Sequence, residues 1–342
     1  MKWKIIRHFP EAELEQSWRE CLAHGDYPTH YTAPEYFLEP FWTDQRPFAV
    51  LALDGDGVAG VATGLHTGSQ IICGLSVRPQ VCQRKDANQW EVSKALSQGL
   101  LEVAEGKVEL ITLHTWTAME GFLAGGYGVR ECDGEKGVVM LDLTKGADAL
   151  FKGFSENRRT NIRKAIKMGL EVSQLTTDEE LNAFYEIYVE WCKHKQIAPS
   201  AFKPLKQAFA LTNNRRLFIA KYENKVIAGV TLRFIPGGII EYAANCSIRE
   251  DQKLKPNDIL HWRVIEWACK EGFTFYSLGG AHLFLKKFGG ALWTTYRYRF
   301  DRTWFRKYEL KEKVLNTGLR FFQLLPDSTK NAIRMISGID SG

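Results

Sequence analysis

Two stretches of the chain align without a gap: Phe48–Leu65, FAVLALDGDGVAGVATGL, and Leu217–Phe234, LFIAKYENKVIAGVTLRF. Each is an apolar run, a polar turn, and a second apolar run in which a branched residue precedes Ala-Gly-Val. The turns are Asp54-Gly55-Asp56-Gly57 and Glu223-Asn224-Lys225. Gly and Asn tolerate the positive φ of tight turns, so each stretch reads as a β-hairpin. The segments after each hairpin repeat in the same order. A third strand is expected at Ile71–Leu75 in the first copy and Ile239–Cys246 in the second. After a polar loop comes a helix, with helical spacing of Val92, Leu96, Leu100 and Val103 or of Leu260, Val264, Trp267 and Ala268. Gly106 and Gly272 fall where helices end, and last strands are expected at Val108–Leu113 and Phe273–Leu278. Chance likeness between hairpins would not repeat this order, so the chain reads as two copies of one α/β unit.

The totals agree. With 342 residues the chain can build two cores, and 45% hydrophobic with 25% charged residues fits a globular protein. A net charge of +5 favours acidic ligands only weakly. The seven cysteines form no CxxC pair and the count is odd, which suits a reduced cytosolic setting. No His or Cys cluster has metal-ligand spacing, so no metal is expected. The N-terminus lacks the apolar core of a signal peptide, and no run of about 20 apolar residues can span a bilayer. Thr177-Asp178-Glu179-Glu180 has capping-box spacing ahead of a helix carrying Leu181, Phe184, Tyr185, Tyr188 and Trp191. The boundary between units is placed at 145/146, after a strand at Val138–Leu143, with a helical tail from 302 to 342.

Three segments carry residues suited to chemistry. In the first, Ser155 can cap a helix that Gly169 ends. Arg159, Arg163 and Lys167 recur every fourth residue beside Arg158 and Lys164, while Ile162 and Ile166 are expected to face the core. A row of cations suits phosphate or pyrophosphate. The second is Leu278-Gly279-Gly280-Ala281-His282-Leu283-Phe284-Leu285-Lys286-Lys287-Phe288-Gly289-Gly290, beyond a strand end, where open α/β sheets bind ligands. Gly279, Gly280 and Gly289 would let a ligand approach the backbone, and Lys286 or Lys287 would supply charge. The third is the strand Glu241-Tyr242-Ala243-Ala244-Asn245. Acyl transfer to an amine needs a proton acceptor and an oxyanion donor, which assigns Glu241 or His282 as base and Tyr242 as donor. Asn245 and Trp262 complete the expected substrate-binding set with Arg158, Arg159, Arg163 and Lys164. No GxSxG or Walker loop is present.

In order, FSENRRTNIRKAIKMGLEV, RLFIAKYENKVIAGV, EYAANCS, LKPNDILHWRVIEWACKEGFTFYSLGG and KKFGG resemble the FemAB-like branch of the GNAT superfamily. That branch includes Fem-type peptidoglycan-bridge aminoacyltransferases and exopolysaccharide-associated proteins. The resemblance implies an α/β fold of two tandem GNAT-like domains, each a mixed central sheet flanked by helices. It implies transfer of an acyl or aminoacyl group to an amine of a phosphorylated or lipid-linked cell-envelope precursor. The donor would be aminoacyl-tRNA or acyl-CoA as co-substrate, with no tightly bound cofactor and tRNA as a partner. The family's basic segment matches Arg158, Arg159, Arg163 and Lys164, and its lysine before the final Phe-Gly matches Lys286 or Lys287. Most of the chemistry is assigned to the second copy.

Two departures bear on the donor. GNAT enzymes hold the CoA pyrophosphate with a [QR]xxGx[GA] loop at a helix N-terminus. Here that loop is Asp251-Gln252-Lys253-Leu254-Lys255-Pro256-Asn257-Asp258, without glycine, which argues against ordinary acetyl-CoA use. The long coiled-coil insertion of some Fem enzymes is also missing. An acyl-CoA N-acyltransferase with an atypical CoA site, and a non-catalytic binding module, stand as alternatives. The tail alternates Arg302, Arg306, Lys307, Lys311, Lys313 and Arg320 with Trp304, Phe305, Leu310 and Leu315. It is expected to dock on the second unit, with contact to an anionic membrane as the other reading. The expected location is the cytoplasm, including the inner membrane face.

Overall fold

The computed structural model describes residues 1–42, 45–104, 106–132, 137–280 and 283–324. The strands are β1 Lys2–Ile6, β2 Arg46–Asp54, β3 Gly57–Thr67, β4 Gln70–Leu75, β5 Arg78–Pro79, β6 Val81–Gln83, β7 Leu110–Thr115, β8 Gly128–Cys132 and β9 Val138–Asp142, then β10 Glu171–Gln174, β11 Arg215–Tyr222, β12 Lys225–Phe234, β13 Ile239–Ser247, β14 Phe275–Gly280, β15 Ala291–Trp293 and β16 Thr295–Asp301. The helices are α1 Ala12–Ala23, α2 Gln89–Val103, α3 Glu120–Ala124, α4 Ala147–Gly153, α5 Glu156–Lys167, α6 Asp178–His194, α7 Phe202–Ala210, α8 Pro256–Lys270, α9 Leu283–Lys286 and α10 Lys307–Leu324.

Both expected hairpins form, as β2–β3 and β11–β12, and each has a register shift near its turn. Gly55 has φ +59°, while Glu223 and Asn224 have φ 49° and 63°, the paired left-handed geometry of a two-residue hairpin loop. The Thr177–Glu180 capping box starts α6, and Ser155 caps α5 by accepting from the Arg158 N–H. Each unit packs its long helix on its sheet. Val92, Leu96 and Leu100 of α2 lie in one core, and Leu260, Val264 and Ala268 of α8 lie in another.

The two mixed sheets have matching orders: β1-β2-β3-β4-β7-β16-β8 and β10-β11-β12-β13-β14-β9-β15. Position by position they correspond, except that each sixth strand comes from the other half of the chain. β9 leaves the first half to pair with β14 and β15, and β16 returns to pair with β7 and β8. The units therefore do not separate at 145/146. The strand expected to close the first unit is a rib of the second, and residues 295–301 belong to the first sheet. The reason lies in burial. Val139 and Leu141 of β9 enter the second core, while Val138 and Met140 join Trp116 and Ile239 in a seam between the units. A strand apolar on both faces is stable only where both faces are covered.

The tail also differs from expectation. α10 docks on the first unit: Lys307 and Tyr308 engage Glu109 at 2.6 and 2.8 Å, and Glu312 meets arginines of β8 and β16. No helix among the described residues is long and apolar enough to cross a membrane.

Candidate active site

The second sheet opens where ligands bind. β13 and β14 run parallel with pairs Ile239↔Phe275, Ile240↔Tyr276 and Glu241↔Ser277, and there the ladder ends although both strands continue. Beyond that point β13 stays paired only to β12, with a shift that bulges Ala243. The two strands thus part into a wedge at their carboxyl ends. Gly279 sits on its wall with φ +83°, and a Cβ there would meet the Tyr242 ring at 3.7 Å.

Two cavities lie about the start of α8. One, of about 360 Å³, lies between α5, the start of α8 and α9, and is lined by Asn157, Arg158, Asn161, Lys255 and Lys287 among others. The other, of about 530 Å³, lies between the end of α6 and β13, and includes Trp191, His194 and Asn245. Gln252 and Asn257 line both. The buried Nδ2 of Asn245 and Oδ1 of Asn257 have no hydrogen-bond partner among the described residues. A larger groove, about 1120 Å³, runs between β1 and α1 and contains none of the expected site residues.

The start of α8 resolves the missing glycine. Lys255 adopts φ +65°, ψ 41°, the left-handed turn that glycine usually supplies, and Pro256 follows at the first helical position. No side chain caps this N-terminus. Pro256 has no N–H and those of Asp258 and Ile259 bond the Lys255 carbonyl, which leaves the N–H of Asn257, a residue that lines the smaller cavity with Lys255 and Lys287.

Several expected residues take other roles. Arg158 is buried rather than offered to solvent. It pairs with Asp258, donates to the Phe284 carbonyl at 2.9 Å, and stacks over Phe284 and Phe288 at 4.0 and 4.4 Å. It clamps α5, α8 and α9 together. Arg159 donates to the carbonyls of Lys152 and Phe154, and Arg163 lies over Phe151 at 5.6 Å. The cation row thus runs along a different face of α5 from Asn157 and Asn161, which line the cavity. Lys164 is exposed, and Ile166, expected in the core, is 46% exposed. Trp262 packs on Phe151 and Phe154 at 4.7 and 5.7 Å as a core residue. Gly289 serves close packing: a Cβ would approach the Gly153 carbonyl oxygen to 2.7 Å. Gly280 ends β14 opposite Val138. Lys287 lines the cavity and Lys286 is exposed at the end of α9. His282 lies outside the described residues.

Glu241 is 3% exposed at the end of the parallel ladder. Burial raises its pKa to about 7, against the pull of Arg233, Arg78 and Arg215. Tyr242 lies beside His261, ring centres 5.3 Å apart, and burial raises its hydroxyl to about 12. His261 is fully buried and accepts from or donates to the Tyr276 hydroxyl at 3.0 Å. Its place among Leu260 and Trp262 on an apolar helix makes it look like core filling in the sequence.

A second polar group also escapes sequence reasoning. Glu39 pairs with Arg215 across the seam and contacts His30 at 2.8 Å, and Arg78 and Arg233 flank the Tyr31 ring at 5.7 and 5.2 Å. These residues come from three distant parts of the chain, residues 30–39, Arg78 and the β11–β12 hairpin, and no local spacing unites them. Among the described residues, no group of His, Cys, Asp and Glu is arranged to hold a metal.

The buried ionisable groups predict an acid-labile fold. Burial is the main cause that lowers His30 and His114 to about 4 and His261 to about 3, while Glu241 is raised to about 7. Near pH 5.5 unfolding then takes up a proton at each histidine and releases one at Glu241. Histidines with depressed folded pKa stabilise above 6.5 and lose that contribution as pH falls; the raised carboxyl acts oppositely between 4.5 and 7. Three histidines outweigh one carboxyl, so the balance is a loss of stability on acidification, on the order of a few kcal/mol per pH unit. Urea midpoints at pH 5 and 7 check this, and equal stability at both would contradict it.

Comparison with known proteins places this architecture. Residues 155–287 match the family model described as Acetyltransferase (GNAT) domain. The class is therefore a GNAT-type acyltransferase domain set in a tandem GNAT fold. Over the whole chain the fold is similar to those of FemX and of tandem GNAT proteins. The crystal structure of FemX superposes with TM-score 0.67 at 15% identity, covering 88% of this chain and 98% of that one. The structure of L-PGS from Bacillus licheniformis gives 0.59 at 15%, covering 87% and 94%. A tandem GNAT protein from the clavulanic acid biosynthesis pathway gives 0.55 at 12%, covering 88% and 99%. No curated protein sequence matches the chain significantly.

Proposed function

We propose that the protein transfers an acyl or aminoacyl group to an amine of a cell-wall or polysaccharide precursor, with the reaction centred on the second sheet. One observation carries this reading: the β13–β14 ladder stops at Glu241↔Ser277 in the same unit that holds a cation-lined cavity at the uncapped start of α8. A phosphorylated substrate suits that cavity, which Lys255 and Lys287 line at the start of α8. The amine attacks the acyl carbonyl within the wedge. A C–N bond forms, the ester or thioester bond breaks, and the ammonium proton passes to a base. Glu241 suits that role, since a base works best near the ambient pH and its pKa lies at about 7. Tyr242, Asn245, Gly279 and Gly280 border the path of the acyl group.

A further structural neighbour is named as a putative lysylphosphatidylglycerol synthetase, and that name supports a lipid-linked acceptor and an aminoacyl donor. Peripheral membrane contact fits this reading. Trp304 and Phe305 are 91% and 77% exposed, and Leu310, Val314 and Leu315 of α10 are exposed beside lysines. An acyl-CoA donor gains support from Lys255, whose left-handed turn frees the α8 N-terminus for a pyrophosphate without glycine.

The melting temperature with and without saturating acetyl-CoA and longer acyl-CoAs separates the donors. A ligand at about 100 times its Kd adds roughly 2.7 kcal/mol. An upward shift means CoA; no shift directs the assay to charged tRNA. Strong tRNA binding with no transfer to any acceptor would leave a non-catalytic binding module and sink the enzymatic reading.

A further inference from the structure

Glu312 of α10 lies within reach of three arginines of the first sheet. Arg297 donates to both its oxygens at 2.6 and 2.7 Å, Arg130 donates to Oε1 and Arg299 to Oε2. Strand register builds this group. Arg297 on β16 stands directly opposite Arg130 on β8 and His114 on β7, and Arg299 lies two residues further along, on the same face. Tyr296, Tyr298 and Phe300 point the other way, into or against the core.

Tethering a helix needs one arginine, and like charges placed opposite each other across strands are destabilising. Here three guanidiniums share one carboxylate, which leaves them undercompensated. The buried Nε of Arg297 and of Arg299 and the buried Nδ1 of His114 have no partner among the described residues. Burial and the two arginines hold His114 neutral, at about 4, so its ring does not add to the repulsion. A phosphate group, with more charge and more acceptor oxygens than a carboxylate, suits the cluster better. The helix that supplies Glu312 is held by polar contacts, to Glu109 and Asp301 as well as the arginines, while Leu310, Val314 and Leu315 remain over half exposed.

We propose that Arg130, Arg297 and Arg299 form a phosphate-binding site that Glu312 occupies in the unliganded chain, and that a phosphate ligand displaces α10 from the first sheet. The site is separate from the second-sheet cavity and does not depend on the transfer reaction. The phosphate could belong to an anionic lipid headgroup or to a soluble phosphorylated molecule.

The test uses the full chain, with pyrophosphate as the soluble probe and phosphatidylglycerol or phosphatidylcholine vesicles as the lipid probes. Removing the competing carboxylate raises apparent affinity by the inverse of the fraction of time the site stood open. Glu312→Gln should therefore bind pyrophosphate at least about tenfold more tightly than wild type. Arg297→Ala in that background should abolish the gain. In unaltered protein, tryptic cleavage after Lys307, Lys311 or Lys313 reports release of α10 without any variant. Faster cleavage with pyrophosphate assigns a soluble ligand. Faster cleavage with phosphatidylglycerol vesicles alone, absent with phosphatidylcholine, assigns a headgroup. Unchanged affinity in Glu312→Gln together with unchanged cleavage under every probe would overturn the proposal and leave the arginines as a tether.

Discussion

Arg158→Ala is expected to destabilise the protein by about 3–5 kcal/mol, the usual cost of leaving one member of a buried ion pair alone. The Asp258 side chain is only 8% exposed, and its charge would have no other cation within the clamp. The Phe284 carbonyl would lose its donor and two phenyl rings their cation. Asp258→Ala should cost a similar amount. The paired replacement Arg158→Met with Asp258→Leu should recover much of the loss, since no buried charge remains. Urea unfolding followed by tryptophan fluorescence measures all three. Single variants within about 1 kcal/mol of wild type would mean that the pair does not carry this load. Because Arg158 also walls the smaller cavity, the alanine variant should weaken any anionic ligand there.

The second large effect concerns the reaction. Lys286→Ala with Lys287→Ala is expected to lower transfer by about a hundredfold or more while leaving the fold intact, on the scale of removing a charge-stabilising donor from a reaction centre. Lys287 should carry most of this, since it lines the cavity while Lys286 is exposed. The single variants divide the effect: Lys287→Ala should approach the double variant, and Lys286→Ala should stay near wild type. Circular dichroism melts guard against misfolding. A fully active double variant would remove these lysines from the site.

The candidate site is legible in part from the sequence. The loop from Gly279 and the strand from Glu241 both border the wedge, because a ligand site at strand carboxyl ends follows from the order of elements. The cation row of α5 is not where its spacing suggests. Spacing of four puts Arg159, Arg163 and Lys167 on one face, but spacing does not say which face meets the sheet. Lys255 gives no signal because glycine is the residue expected there, yet a lysine can bear the modest strain of the left-handed turn. His261 and the Glu39–Arg215 pair carry no local signal either, since the partners Tyr276 and Arg215 lie 15 and 176 residues away.

By itself the sequence determined two copies of one α/β unit, their hairpins and their caps. Those features depend on residues within a few positions of one another, where period, turn chemistry and φ preferences act. Only the tertiary structure decided that β9 and β16 cross between the sheets, that α10 rests on the first unit, and that Arg158 is a buried clamp. A run such as Val138-Val139-Met140-Leu141 announces a buried strand, but its ladder partners lie far along the chain, as in Leu141 with Tyr276. Hydrogen-bonding groups of any strand are alike, so the choice of sheet rests on which apolar faces can be covered together. That is a property of the assembled cores and not of any segment within them.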